Sequence, residues 1–171
     1  MTEIKEGDLT FSFPSGCQAS KYEDWSFYRR QFQAVAGGSK TVDILCIESN
    51  TSWLIEIKDH RTHPRTKPSD ISDEVANKVR DTLAGLAAAA KEANGEADQR
   101  KLAQKALTTS RRWRVVLHLE QPAIRSRLRP NPIDPANLLS KLRTKELKAI
   151  DAHPIVCDQN TIPDYIPWTV Q

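Results

Sequence analysis

The chain has 171 residues, 39% hydrophobic and 27% charged, which suits one ordinary single-core domain and is too short for two. Lysine and arginine number 25 against 22 aspartate and glutamate, a net charge of +3 that permits a polyanionic partner without requiring one. Its three cysteines are widely spaced, which argues against a disulfide framework or a thiolate zinc site. No membrane-spanning run or signal peptide is visible, so we expect a cytoplasmic protein with no membrane contact.

The first sixty residues predict a helix followed by a strand hairpin. Residues 1–20 are broken by Gly, Pro and Ser, with a short possible strand at 9–13. A helix is predicted over 21–36 because apolar side chains recur there at steps of three and four. Two apolar runs, 41–48 and 52–59, are separated by a short polar turn and predict the hairpin.

Helices dominate the middle of the chain. A basic, proline-broken loop at 60–70 leads into a long Ala-rich helix, which Asp70 or Ser72 can cap. The later predicted elements are helices at roughly 71–93, 97–108 and 135–150, strands at 113–120 and 153–158, and a tail docked on the surface. This order predicts an α/β fold, with a single domain over 1–171 and a mixed central sheet flanked by helices.

Three ionisable residues interrupt the apolar runs of the hairpin: Asp43, Glu56 and Lys58. Strand alternation places Glu56 and Lys58 on one face. If the turn leaves an even number of residues unpaired, Asn50-Thr51 for example, Asp43 lies opposite Lys58 and all three converge. An odd turn without a bulge would send Asp43 to the other face.

Convergence would make this a site for a cation. Two carboxylates on a semi-buried sheet repel one another, and burying them is costly unless a cation joins them. Mg²⁺, for which Mn²⁺ can substitute, prefers carboxylates, waters and phosphate oxygens. Lys58 would then hold or deprotonate an attacking water, which predicts a metal-dependent nuclease that hydrolyses phosphodiester bonds. The alternative is a half-exposed strand that alternates charges on its wet face.

Asp43, followed thirteen residues later by Glu56-Ile57-Lys58 within this order of elements, resembles the PD-(D/E)XK nuclease superfamily. The resemblance covers about residues 20–120, and 121–171 would add a helix, a short strand and the tail. It implies a restriction-endonuclease-like core in which Asp43, Glu56 and the Ile57 carbonyl bind metal and Lys58 is catalytic.

The sequence departs from the superfamily pattern at several points. Val42 stands where the motif's name has proline, and no Gln-x-x-x-Tyr element follows the lysine, so no subfamily is assigned. A further acidic ligand on the first helix is common in the superfamily, and Glu23 or Asp24 could supply it.

Two basic segments predict contacts with nucleic acid, and DNA is favoured over RNA. The candidate residues are Arg61, Arg65, Arg125, Arg127 and Arg129. Since no specificity module is visible, we expect a homo-oligomer or a larger assembly, such as a bacterial restriction, defence or repair system. The alternative is a non-catalytic nucleic-acid-binding or scaffolding subunit that retains a nuclease-like fold.

Overall fold

The computed structural model describes residues 1–62, 65–67, 69–91, 94–122 and 133–171. Within these residues there are two sheets, one of three strands and one of five. The strands are β1 (Thr2–Glu6), β2 (Leu9–Phe13), β3 (Cys17–Lys21), β4 (Ile44–Glu48), β5 (Thr51–Asp59), β6 (Arg112–Glu120), β7 (Ile155–Cys157) and β8 (Thr169–Val170). The helices are α1 (Ile71–Ala89), α2 (Ala97–Thr108) and α3 (Pro135–Lys141).

The larger sheet has the order β3-β4-β5-β6-β7 and is mixed. The first three strands are antiparallel, whereas β5, β6 and β7 run parallel. Parallel neighbours need a crossover connection, and α1 with α2 supplies it between β5 and β6. The predicted single-domain α/β fold with a mixed sheet flanked by helices is therefore confirmed.

The two faces of the larger sheet are buried against different layers. Leu54 and its same-face neighbours pack with the three helices in one hydrophobic cluster. Ile55, one residue on, faces the small sheet β1-β2-β8 in a second cluster. A strand buried on both faces carries a nearly continuous apolar run, as β4 and β5 do.

The helix predicted over 21–36 is wrong. Lys21 ends β3, and Tyr22–Asp24 form a 3-10 turn. A short helix covers only residues 26–32, of which Tyr28–Phe32 are π-helical, and a 3-10 turn follows at Val35–Gly37. Trp25 is extended, with ψ 129°, and its indole N–H donates to the Ser20 hydroxyl at 2.8 Å. The aromatic spacing therefore reflects rings packed into the helix-side cluster rather than one continuous helix.

The two ends of the chain are more ordered than the sequence suggested. Residues 1–20, read as largely irregular, supply β1, β2 and β3. The tail is docked as predicted: β8 pairs with β2, and Trp168 is buried against Phe13 and Trp53. The helix expected over 135–150 is shorter, because α3 is followed by a π-helical turn at Leu142–Glu146.

The long middle helices match their predictions closely. Asp70 caps α1, since its side chain accepts a hydrogen bond from the Ser72 N–H at 2.9 Å. No helix in the described part of the chain is long and apolar enough to cross a membrane.

Candidate functional site

The hairpin between β4 and β5 brings the predicted carboxylates onto one face. Its turn leaves Ser49 and Asn50 unpaired, with Ser49 at φ +50°, rather than Asn50-Thr51. The resulting register continues from the Ile44–Ile55 pair and places Asp43 beside Glu56, not opposite Lys58. The turn is even, so both side chains point toward the helices.

The backbone around Asp43 is fixed from three directions. Its N–H donates to the Ile55 carbonyl at 3.1 Å, and its own carbonyl accepts from the Tyr22 N–H at 2.9 Å. The preceding N–H, that of Val42, donates to the hydroxyl of Thr82 on α1 at 3.0 Å. The Asp43 carboxylate is thereby held where its Oδ2 accepts the Ile57 N–H at 2.6 Å. Ile57 thus contributes its N–H to Asp43, whereas the resemblance to the nuclease superfamily implied a role for its carbonyl.

Two lysines meet these carboxylates, and one of them was missed in the sequence. Glu56 is fully buried, and its Oε1 lies 2.8 Å from the Lys58 Nζ. The Lys78 Nζ, from α1, lies 2.7 Å and 2.9 Å from the two Glu56 oxygens and 3.4 Å from Asp43 Oδ1. The Lys78 ammonium therefore bridges the carboxylates; we call Asp43, Glu56, Lys58 and Lys78 the lysine–carboxylate cluster.

A signal for Lys78 was present in the sequence. It follows Val75 by three residues and precedes Thr82 by four, so it borders the buried stripe of α1. A lysine at the edge of a core-facing stripe is partly buried and is therefore expected to pair with an acidic side chain. Asp43 and Glu56 on the strands were the candidate partners.

Burial and charge set the protonation of the cluster. Desolvation, reinforced by the neighbouring Glu56 carboxylate, raises the pKa of Asp43 to about 7 against the attraction of Lys78. Burial by itself would lower the pKa of Lys78, but the Glu56 and Asp43 carboxylates outweigh it and the pKa is raised. Lys78 is therefore an ammonium at neutral pH.

A cavity of about 400 Å³ opens beside the cluster and shares Lys78 with it. Its other lining residues include Tyr28, Arg29, Gln33, Lys40 and Thr41. Glu23, the candidate third metal ligand, also lines this cavity, and its carboxylate pairs with Lys21 at 3.1 Å. The alternative Asp24 forms an ion pair with Arg29.

The arginines predicted to touch nucleic acid are held by internal contacts where they can be described. Arg61 makes a two-pronged contact with Asp59. Arg65 binds Glu74 at 2.8 Å and lowers the pKa of that carboxyl to about 2. The remaining three, Arg125, Arg127 and Arg129, lie outside the described residues.

The cluster fits a metal ion poorly. No group of three or more His, Cys, Asp and Glu side chains in the described ranges could hold a metal. The position between Asp43 and Glu56 is taken by Lys78, and Lys58 adds a second ammonium.

Comparison with known proteins gives one informative similarity. No family model matches the chain, and no solved structure matches it. A cysteine–tRNA ligase from Neisseria meningitidis serogroup A is 33% identical over 209 aligned positions that include 99% of this chain. The chain spans only about 30% of that relative's length.

This similarity corrects the functional interpretation of the sequence. The relative is a ligase that acts on tRNA, so it contradicts the predicted metal-dependent nuclease, with its hydrolysis of DNA in a restriction, defence or repair assembly. The structure does bring Asp43, Glu56 and Lys58 together, but their assignment as nuclease catalytic residues is withdrawn with that function. The chain is similar to part of a cysteine–tRNA ligase.

Proposed function

We propose that the chain is a tRNA-binding module that works beside, or as part of, an aminoacyl-tRNA ligase. The observation that carries this proposal is the similarity to a cysteine–tRNA ligase along nearly the whole chain. The larger part of the relative lies outside the match, so the relative combines a region like this one with further sequence. Binding of tRNA is a task of such a ligase that a single domain of ordinary size can perform.

Amino-acid activation is the less suitable assignment for this chain. That reaction consumes ATP, and its site must hold a triphosphate. The six glycines form neither the G-x-x-x-x-G-K-[ST] nor the G-x-G-x-x-G pattern, whose backbone N–H groups cradle phosphates. A binding role needs only cationic and polar groups at an accessible surface.

The cavity beside the lysine–carboxylate cluster is the proposed contact with RNA. Its volume of about 400 Å³ lies within the range of small-ligand sites and could admit one nucleotide. Arg29, Lys40 and Lys78 line it against a single carboxylate, Glu23. Lys78 is held by the buried Asp43 and Glu56. Arg29 pairs with Asp24, but both of these side chains are exposed, so the pair contributes little and a phosphate can replace that carboxylate. Arg29 and the exposed Lys40 are therefore the groups that would meet phosphate.

The position of Lys40 at this cavity is fixed by its backbone. Its N–H donates to Asp81 on α1 at 3.1 Å, which anchors the segment that leads into Val42 and Asp43. The same segment is also tied to Tyr28, whose hydroxyl donates to the Ser39 carbonyl at 2.9 Å. The cavity therefore has a hydrogen-bonded frame, with the exposed Arg29 and Lys40 side chains among its lining residues.

Equilibrium binding tests this function. Fluorescence anisotropy should be measured with labelled tRNA for cysteine, a second tRNA of similar length, and a DNA duplex of similar charge, at several salt concentrations. We expect tRNA to bind more tightly than the duplex. Removing Arg29 and Lys40 together should weaken binding and reduce the log-log salt slope by about one to two units, since each lost phosphate contact removes about 0.9.

The matched control removes the same charge elsewhere. Lys145→Ala with Lys148→Ala takes two exposed cations from the segment that follows α3, so the net charge equals that of the Arg29→Ala, Lys40→Ala variant. We expect the control to keep the parental salt slope. The proposal is wrong if the duplex binds as tightly as tRNA, and the cavity is the wrong surface if both double variants lose affinity equally.

We also propose, for the fold alone, that the core keeps a restriction-endonuclease-like layout. A hairpin with Asp43 and Glu56 on its helix side, followed by crossover helices and the parallel β6, supports it. This layout says nothing of activity, because one fold can host many functions. A crystal structure superposed on such cores would test it through the order and direction of the five strands.

A further inference from the structure

We infer that Lys78 occupies the cation position between Asp43 and Glu56, so that the protein closes this site itself and excludes divalent metal ions. The resemblance to metal-dependent nucleases implied Mg²⁺ at this place. The Lys78 Nζ instead lies within 2.9 Å of both Glu56 oxygens and 3.4 Å from Asp43 Oδ1. An ammonium in that position satisfies the same carboxylate oxygens that a metal would need.

Charge counting explains why metal and lysine exclude one another. When Asp43 is ionised, the cluster holds two carboxylates and two ammoniums, those of Lys58 and Lys78, and is formally neutral. Adding a divalent ion without losing a lysine would bring it to +2 around a carboxylate that is fully buried. Such an excess of buried charge is strongly unfavourable.

The covalent attachment of Lys78 gives it a further advantage over a free ion. It lies in the body of α1, and α1 is tied to the strand segment beside Asp43 by the Thr82–Val42 hydrogen bond of 3.0 Å. The ammonium is thus delivered to the carboxylates whenever the domain is folded. A dissolved metal ion must also give up water ligands to enter, and Mg²⁺ does so reluctantly.

Removing this single ammonium should open a divalent metal site. The Lys78→Met variant keeps an unbranched apolar side chain of similar length and leaves Asp43 and Glu56 facing one another. Titration of tag-free protein with Mn²⁺, monitored through the electron paramagnetic resonance signal of free Mn²⁺, measures binding without any assay of activity. We expect one Mn²⁺ per chain in Lys78→Met, at least about tenfold tighter than in the parental chain.

Two controls identify the site. Lys58→Met removes the ammonium at Glu56 Oε1 and leaves the bridging Lys78 in place, so it should not acquire the binding seen in Lys78→Met. Adding Glu56→Gln to Lys78→Met should abolish that binding, because one of the two ligands loses its charge. Mn²⁺ should also raise the thermal midpoint of Lys78→Met and leave that of the parental chain unchanged.

The inference fails if the parental chain binds one Mn²⁺ per molecule and Glu56→Gln removes it, because Lys78 would then not exclude the ion. It also fails if folded Lys78→Met binds no more Mn²⁺ than the parental chain. If Lys78→Met does not fold, the Mn²⁺ titration of Lys78→Gln replaces it. The inference then fails if Lys78→Gln binds no more Mn²⁺ than the parental chain. This inference is independent of the proposed tRNA binding, which the anisotropy assay measures separately.

Discussion

The two faces of the five-stranded sheet each bury a polar cluster, and the clusters are built differently. On the helix side, Glu56 is paired with two lysines from two elements, β5 and α1. On the other face, Glu120 Oε1 lies 2.9 Å from His118 Nε2 and accepts the Gln159 N–H at 2.8 Å. The first cluster borders a cavity, whereas the second is covered by the small sheet, with Phe11 edge-on to His118.

This difference determines how strongly the stability of each cluster depends on charged partners. A carboxylate held only by charged side chains depends strongly on its partners, because loss of one leaves an uncompensated buried charge. A carboxylate held by a backbone N–H and an imidazole depends less on full charge. Variants on the two faces should therefore differ in the size and in the sign of their effects.

The largest expected effect is that of neutralising Glu56. Glu56→Gln leaves Lys58 and Lys78 without their shared partner and should reduce the free energy of unfolding by about 3–5 kcal/mol. Glu120→Gln, its counterpart on the other face, should lose only about 1–3 kcal/mol. Urea unfolding of both variants measures the difference, and an equal loss would contradict the distinction. The repulsion between the two carboxylates that the sequence implied is outweighed here by the attraction of Lys58 and Lys78.

The next effect is the pH dependence of Asp43. Burial beside Glu56 raises its pKa to about 7 from an ordinary 3.8, so the folded state holds a proton that the unfolded chain has released. The resulting stability is fully present below about pH 4 and is lost as the pH rises toward 7, at no more than about 1.4 kcal/mol per pH unit. Asp43→Asn does not titrate and should lose this slope.

Urea unfolding at several pH values between 4 and 7 measures the Asp43 effect. The exposed Asp164 provides a control, because Asp164→Asn removes one carboxylate far from the cluster in sequence and should keep the parental slope. An unchanged slope in Asp43→Asn would show that this carboxyl is ionised throughout the range.

A smaller effect tests the packing of α1 against the segment that lines the cavity. A Cβ added at Gly85 would lie 2.6 Å from the Tyr22 hydroxyl oxygen and 3.3 Å from the Phe32 ring. Gly85→Ala should therefore cost about 1–3 kcal/mol despite its better helix propensity. Gly95→Ala, which meets no atom within 4 Å, should be nearly neutral.

The Tyr22 hydroxyl makes this test specific. It is buried and has no hydrogen-bond partner in the described part of the chain, so Tyr22→Phe should be neutral or stabilising. Combining Tyr22→Phe with Gly85→Ala should recover most of the loss, because the closest contact is removed. Additive losses in the double variant would contradict this account.

The fold was predicted best where a local pattern governed the sequence. The apolar runs of β4 and β5 and the 3.6-residue stripe of α1 are such patterns, and these three elements formed close to their predicted ends. The helix over residues 21–36 was wrongly predicted because the aromatic side chains there have helical spacing. The extended backbone of Trp25 and the positive φ of Ala36 and Gly37 interrupt the segment. Tertiary packing of the rings determined this segment, and periodicity does not report it.

The candidate site was predicted only where its residues lie on the two strands of the hairpin. Strand alternation was sufficient to bring Asp43, Glu56 and Lys58 to one face once the turn was even. Lys78 lies on another element, so its approach to Glu56 depends on how α1 packs across the sheet. The functional prediction was wrong because it lacked Lys78 and the similarity to a cysteine–tRNA ligase. A carboxylate pair with one lysine favours a metal site, whereas a pair with two lysines does not.

The smallest expected effect is the titration of His118, which has the opposite sign to that of Asp43. Burial lowers its pKa below the ordinary 6.5, against the attraction of Glu120 and Asp158, while Arg61 adds to the lowering. Below about pH 6.5 the unfolded chain therefore binds a proton that the folded state resists. The free energy of unfolding then decreases as the pH is lowered, by no more than about 1.4 kcal/mol per pH unit.

In the parental chain this slope is opposed by that of Asp43, so the effect of His118 should be measured in the Asp43→Asn background between pH 7 and 5. There, adding His118→Gln, whose amide can still donate to Glu120, should flatten the acid loss, whereas the exposed His153→Gln should not. If His118→Gln keeps the full acid loss, the imidazole beneath the small sheet is already protonated at neutral pH, and the two faces do not titrate in opposite directions.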